Sequence, residues 1–196
     1  GGSVFIVLDY AYWEYVTAPD LPDPMCLLRR FSGGFSGSFS NGFSGLVVLR
    51  TFSKIYGIAG MRVGYAIAHP EIISVMNKIR DPFTANAVGQ AAAEGALTDL
   101  AFVKKAKALN QAGMRLWESE LRVMGVPFWA SQGNFLLIDT RAGFGLSGIK
   151  VFEQCLRRGV ILRPMDSYGL PHTLRVSIGT LAENRFALRA LRELRK

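Results

Sequence analysis

The chain has 196 residues, 49% hydrophobic and 19% charged, an ordinary soluble composition with enough apolar sequence to bury a core in one large or two small domains. No apolar run approaches the ~20 residues needed to cross a bilayer, and no basic start leads into a signal-type apolar segment, so membrane partners are excluded and the cytoplasm is expected. The formal charge of +8 is spread along helical faces and strand ends without a concentrated run, which argues against nucleic acid and leaves room for phosphorylated ligands.

Val4 to Leu8 is apolar at every position, the pattern of a central parallel strand buried on both faces, and Asp9 ends it. Taken alone, such an aspartate reads as a turn or cap residue. Ala18 to Pro24 is a proline-punctuated loop, in which Asp23-Pro24 starts a short helix through Arg30. Phe31 to Gly45 repeats Phe-Ser at a four-residue step. That spacing stacks phenylalanines on one helical face, but each glycine costs about 1 kcal/mol relative to alanine in a helix. A flexible insert is therefore expected, with Asn41-Gly42 as a possible hairpin turn.

Leu46 to Leu49 reads as a buried strand, so the stretch Thr51-Phe52-Ser53-Lys54 falls where that strand ends and its loop begins. Open α/β sheets bind ligands at such an edge. Arg62 follows Lys54 by eight residues, enough for a glycine-bearing loop to return the chain. Two hydroxyls and a guanidinium suit a phosphate, and a desolvated lysine amine can bond to an aldehyde carbon. The cofactor that needs both is pyridoxal 5′-phosphate.

Met61 to Ala68 reads as the next strand, with Arg62 near its start, followed by helices over 70–79 and 85–97. Asp99 caps a long amphipathic helix to Met124, stopped by Gly125, with Phe102, Ala106, Leu109, Gly113, Leu116 and Leu121 as its core stripe. Strands are expected over 134–138, 160–162 and 174–178, and a helix over 148–158 closed by Gly159. Thr180 to Glu183 forms a capping box for the last helix. Arg175 lies inside an apolar strand, where a guanidinium costs stability unless it meets an anion. Cys26 and Cys155 lack metal or CxxC spacing and read as reduced thiols. His69 and His172 sit beside prolines and read as exposed loop residues, so no metal site is expected.

Ser53-Lys54 followed by Gly57, Ala59-Gly60, Arg62 and Gly64-Tyr65 resembles the lysine signature of fold-type I aminotransferases, and its wording is similar to histidinol-phosphate aminotransferase. The likeness runs on through Ala66 to Glu71, Arg80 to Phe83, Ser131 to Phe135 and Gly159 to Met165. It implies an α/β fold: the second half of the large cofactor-binding domain, with a mostly parallel sheet, over 1–98, then an interdomain helix and a small α+β C-terminal domain over 99–196. It also implies amino transfer between histidinol phosphate and 2-oxoglutarate, with Lys54 holding the cofactor and moving the substrate proton. By the same resemblance Asp9 faces the pyridine nitrogen, Tyr12 bonds the phenolic oxygen, and Thr51, Ser53 and Arg62 hold the phosphate. Arg175 would clamp one anionic end of the substrate and Arg163 the other, with Asn134 nearby. Tyr10 departs from the family, which has glutamate there. Aromatic aminotransferases and phosphothreonine decarboxylases share most of these residues.

Enzymes of this family are nearly twice as long, and its glycine-rich phosphate loop, an asparagine beside the cofactor oxygen and a ring-stacking aromatic lie in the first half. Gly1-Gly2-Ser3 reads as a linker remnant. Family-type chemistry is therefore expected only if a complementing chain supplies those first-half residues, with a homodimer or such a complementing chain as the expected partner; the alternative is an engineered or excised fragment without turnover. Removing residues 31–45 should change stability only modestly in a thermal melt; loss of folding would make the phenylalanines core.

Overall fold

The structure, a computed structural model, describes residues 4–31 and 45–195. The chain divides into two compact units, Gly1–Val103 and Lys104–Lys196. The Phe-Ser repeat falls almost wholly outside the described residues.

The first unit contains β1 (Ile6–Asp9), α1 (Pro24–Phe31), β2 (Leu46–Thr51), β3 (Gly64–Ala68), α2 (Pro70–Ile79) and α3 (Ala87–Thr98), and α4 (Leu100–Val123) begins in it. The sheet order is β1-β2-β3; β1 runs parallel to β2 and β3 antiparallel to it. Alternation along β2 splits its side chains between two small cores. Leu46 and Val48 pack with Leu28 of α1, while Val47 packs with Ala68 and Ile72 of β3 and α2. Asp23 accepts from the amides of Met25 and Cys26 at 2.7 and 3.2 Å, so the expected cap of α1 forms. Asn86 caps α3 by accepting from Gly89 at 2.7 Å.

β1 departs from the central strand expected of it. Among the described residues it pairs only with β2, so it is an edge strand, and Val4, Phe5 and Val7 are 65, 62 and 59% exposed. The strand expected from Met61 begins only at Gly64, because residues 59–61 form a 3-10 turn that Arg62 closes. His69 is buried, not an exposed loop residue: it precedes α2, and its ring nitrogen accepts from the Glu71 amide at 3.3 Å.

The second unit continues α4 and adds β4 (Phe128–Trp129), β5 (Phe135–Asp139), α5 (Thr140–Phe144), α6 (Gly148–Leu156), β6 (Arg163–Met165), β7 (Leu170–Ser177) and α7 (Leu181–Glu193). Its antiparallel sheet has the order β4-β5-β7-β6. Leu136, Ile138, Leu174 and Val176 of the sheet share one core with Trp117 and Leu121 of α4, Val151 and Cys155 of α6, and Leu188 and Leu191 of α7. Burial pushes the Cys155 thiol up to about 11, which suits an inert core residue. Residues 160–162 are not a strand; the Val160 amide closes α6 by bonding Cys155 O at 2.9 Å, and pairing with β7 starts at Arg163. The core face of α4 runs through Asn110, Gly113, Met114, Trp117 and Leu121. Phe102 and Leu109, expected in that stripe, lie one position off its phase and are exposed. His172 lies within β7 rather than in a turn, and its Nδ1 is buried without a hydrogen-bond partner.

A buried polar knot ties this unit together. Asn184 Oδ1 accepts from Trp117 Nε1 and from the Gly179 amide, both at 3.0 Å, and its Nδ2 donates to Gly179 O at 2.9 Å. The capping box of Thr180 and Glu183 forms beside it, and hydrogen bonds from Thr180 hold the Glu183 carboxyl below its ordinary range. Gly113 leaves room for the knot, since a Cβ there would lie 2.4 Å from Ile178 Cγ2 and 2.7 Å from Asn184 Nδ2. Gly113→Ala is expected to destabilise the protein by about 1–3 kcal/mol through overpacking, read as a lower denaturant midpoint.

Candidate active site

Parallel pairing decides where the first cluster forms. Asp9 is registered with Leu49, so β1 and β2 release their chains at the same sheet edge. Past β1, Asp9 Oδ1 accepts from the Ala11 amide at 3.0 Å, the turn role that its residue type alone suggested. The following 3-10 turn, Trp13–Tyr15, carries Tyr12 at its start, and the buried Tyr15 anchors it. Past β2, Phe52 and Ile55 are buried, while Thr51, Ser53 and Lys54 are half-buried. The buried pair works as two pins that hold the loop between them. Lys54 Nζ lies over the Tyr12 ring, 5.0 Å from its centroid, so the two expected partners meet within one unit.

Thr51 and Arg62 approach through the backbone. The Thr51 hydroxyl accepts from the Ser53 amide at 3.1 Å, and the Phe52 amide donates to Val63 O at 3.1 Å. Asn86 of α3 donates to Met61 O at 3.2 Å, fixing the returning loop from its other side. Arg62 has φ 58°, a left-handed conformation that costs a non-glycine residue about 1–2 kcal/mol. Its guanidinium donates to Ala59 O at 2.9 Å and is otherwise exposed. Such strain gathers at ligand sites, where the surroundings hold it in place.

Three residues of this cluster were not anticipated. Arg50 of β2 forms an ion pair with Glu14 of the 3-10 turn, the two side chains being 13 and 12% exposed. Tyr56 lies close enough to Glu14 for burial, then the Glu14 charge, to push its hydroxyl above the ordinary value. The available signal was an arginine at the end of an apolar strand, the reasoning applied to Arg175.

The second cluster lies in the second unit. Arg163 of β6 is registered directly opposite Arg175 of β7, an arrangement in which like charges repel. Arg163 donates to the Tyr168 hydroxyl at 3.0 Å, and Arg175 lies over the Phe135 ring at 4.9 Å. Arg175 Nε is buried without a hydrogen-bond partner. Asn134 lies at the end of the same sheet, its carbonyl accepting from Ile178 at 2.8 Å. No group of three or more His, Cys, Asp or Glu that could hold a metal occurs among the described residues, and none of their helices is long and apolar enough to cross a membrane.

A family model for class I and II aminotransferases matches residues 3–191. The chain belongs to that family. It is 43% identical over 189 residues to a histidinol-phosphate aminotransferase of an Anaeromyxobacter species, covering 96% of this chain and 48% of the relative. It is 39% identical over 181 residues to histidinol-phosphate aminotransferase 1 of Nitrosococcus oceani, covering 92 and 45%. A putative histidinol-phosphate aminotransferase of Erwinia carotovora atroseptica superposes with TM-score 0.84 at 27% identity, over 97% of this chain and 51% of that one. The histidinol-phosphate aminotransferase of Sinorhizobium meliloti, solved with pyridoxal-5′-phosphate, gives TM-score 0.77 at 26% identity, over 97 and 48%. The fold is that of fold-type I aminotransferases, and the chain spans about half the length of the relatives it matches.

The unpaired Arg175 separates stability from binding in this aminotransferase chain. Arg175→Met keeps the apolar stem, removes a buried unsatisfied donor and relieves repulsion from Arg163. It is expected to raise stability by about 1 kcal/mol in a denaturant titration, while weakening the binding of dicarboxylate anions.

Proposed function

We propose that this chain is the lysine-bearing part of an aminotransferase that uses pyridoxal 5′-phosphate to exchange an amino group between L-histidinol phosphate and 2-oxoglutarate, in cytoplasmic histidine biosynthesis. The observation that carries the proposal is Lys54 over Tyr12 at the edge where Asp9 and Thr51 end parallel strands. The names of the most similar relatives support the substrate, and the donor set supports the cofactor. An amine, two hydroxyls, a carboxylate and a strained arginine match an aldehyde, a phosphate and a ring nitrogen, so the residues fit the group.

In this reading the Lys54 amine would hold the aldehyde end of the cofactor and would move the proton at the substrate α-carbon. Asp9 holds a proton at the ring nitrogen. Thr51, Ser53 and Arg62 bind the phosphate, and Tyr12 bonds the phenolic oxygen. When bound, the cofactor supplies an electron-withdrawing ring that stabilises negative charge on the substrate carbon. Arg175 and Arg163 select an anionic substrate, a role supported by the absence of a carboxylate partner for either among the described residues, and Asn134 borders it.

A specific observation favours a companion reading, that this chain needs a complementing chain for turnover. The open apolar edge of β1 supports completion of the first sheet by further strands, and the relatives' greater length supports a source for them. Homodimerisation is supported by the exposed Ile79, Phe83 and Val88 on the first unit.

Titration of the purified chain with pyridoxal phosphate is expected to give weak, Lys54-dependent absorbance and little amino transfer from glutamate. Each charge-assisted hydrogen bond lost is worth roughly 1.5–3 kcal/mol, so two or three missing contacts lower affinity by orders of magnitude. An equal signal from Lys54→Ala would refute the lysine assignment. Tight binding with full turnover by the chain alone would refute the need for a complement.

A further inference from the structure

The Glu14–Arg50 ion pair has no part in the roles just described. The catalytic assignments leave open what keeps Lys54 and Tyr12 together. They sit on different connections, one after β1 and one after β2, and both connections leave the sheet as loops. Strand pairing fixes the loops only at their roots.

The sequence offsets are informative. Tyr12 precedes Glu14 by two residues, and Lys54 precedes Tyr56 by two. The contact of Lys54 with Tyr12 is thus one tie between the two loops, and Tyr56 comes near Glu14 two residues further along each. Arg50 supplies a second tie from the end of the strand before Thr51, where it meets the Glu14 carboxylate. The pair is mostly shielded from water, where charge-assisted bonds are stronger and less screened than at the surface. Buried neighbours stiffen both ends. Tyr15 beside Glu14 is buried, and the Phe52 ring packs on Tyr56 with centroids 5.1 Å apart. A carboxylate that accepts from a guanidinium on another segment sets the position of its own segment against that one.

We propose that Glu14 is a positioning residue: with Arg50 it clamps the Tyr12 turn onto the root of the Lys54 loop and so presents the lysine amine in one orientation. This rests on the reading of Lys54 as the reactive amine, but the clamp itself can be measured without any cofactor.

The test uses the full chain with side-chain isotope labels. Arg50→Lys keeps the charge but loses the planar fork that meets the carboxylate. The double variant Glu14→Gln/Arg50→Met removes the ion pair without leaving either charge alone in a shielded place. The readout is the nuclear Overhauser effect between Lys54 Hε and the Tyr12 ring protons, with far-ultraviolet circular dichroism as a check on folding. The clamp predicts that this signal falls below half its parent value in the double variant and falls by a smaller amount in Arg50→Lys, with secondary structure retained. An unchanged signal in both folded variants overturns it. Should the double variant not fold, an unchanged signal in Arg50→Lys alone overturns it. With pyridoxal phosphate added, the rate of the Lys54-dependent absorbance change should fall by about tenfold in the double variant, as expected for a misoriented nucleophile. Loss of the Overhauser signal in a chain whose Lys54→Ala variant still gives the absorbance change would sustain the clamp and sink the assigned chemistry.

Discussion

Parallel pairing of β1 with β2 is the constraint from which the candidate site follows. An antiparallel pair would send the two chain exits to opposite edges, and Asp9 and Thr51 would then lie a strand length apart. The register of Asp9 on Leu49 instead brings both connections to one edge. What remains to be set is fine placement, and side chains provide it: buried Phe52 and Ile55 hold one loop, buried Tyr15 holds the other. β3 then returns antiparallel to β2, so that Val63 and Arg62 come back beside Phe52.

Both clusters retain features that cost stability. Arg62 holds a backbone conformation that favours glycine, and Arg175 keeps a buried donor without a partner opposite a second arginine. The surrounding structure is arranged to tolerate these costs. In the second unit the Asn184 knot satisfies every polar atom that it buries against Trp117 and Gly179, and the core around it is dense. Within that frame Arg163 and Arg175 stand opposite one another in the sheet, each against its own aromatic ring, Tyr168 and Phe135.

Caps and periodic segments were legible in the sequence because they depend on neighbours along the chain. The starts of α1, α4 and α7 follow from Asp23, Asp99 and Thr180, whose side chains bond amides two or three residues away. β2 was legible as a buried strand for the same reason. Residues 160–162 were misread because an apolar β-branched run records burial but not a pairing partner. The phase of α4 was misplaced at Phe102 and Leu109 because a helix of 24 residues changes neighbours along its length. The Lys54 cluster was found through residue types at a strand end. The Glu14–Arg50 pair was not: an arginine ending an apolar strand was a signal, but a 36-residue separation leaves its partner without a local trace.

β1 is the case where the sequence states more than the fold uses. Val4 to Leu8 carries apolar residues toward both faces, as a strand covered on both sides requires, yet the described neighbours leave Val4, Phe5, Ile6 and Val7 exposed. Fully burying an aliphatic or aromatic side chain is worth about 1.5–3 kcal/mol. Four such side chains together therefore represent an unclaimed stabilisation comparable to the net stability of many domains. The same edge also presents unpaired backbone groups, which favour strand addition over packing by a helix. A complementing chain bound there would extend the sheet past β1, on the side of Asp9 away from Lys54. On the complementation proposed above, the outer edge of β1 and the end of β1 that carries Asp9 belong to one strand, so completing the sheet and completing the site would be a single binding event.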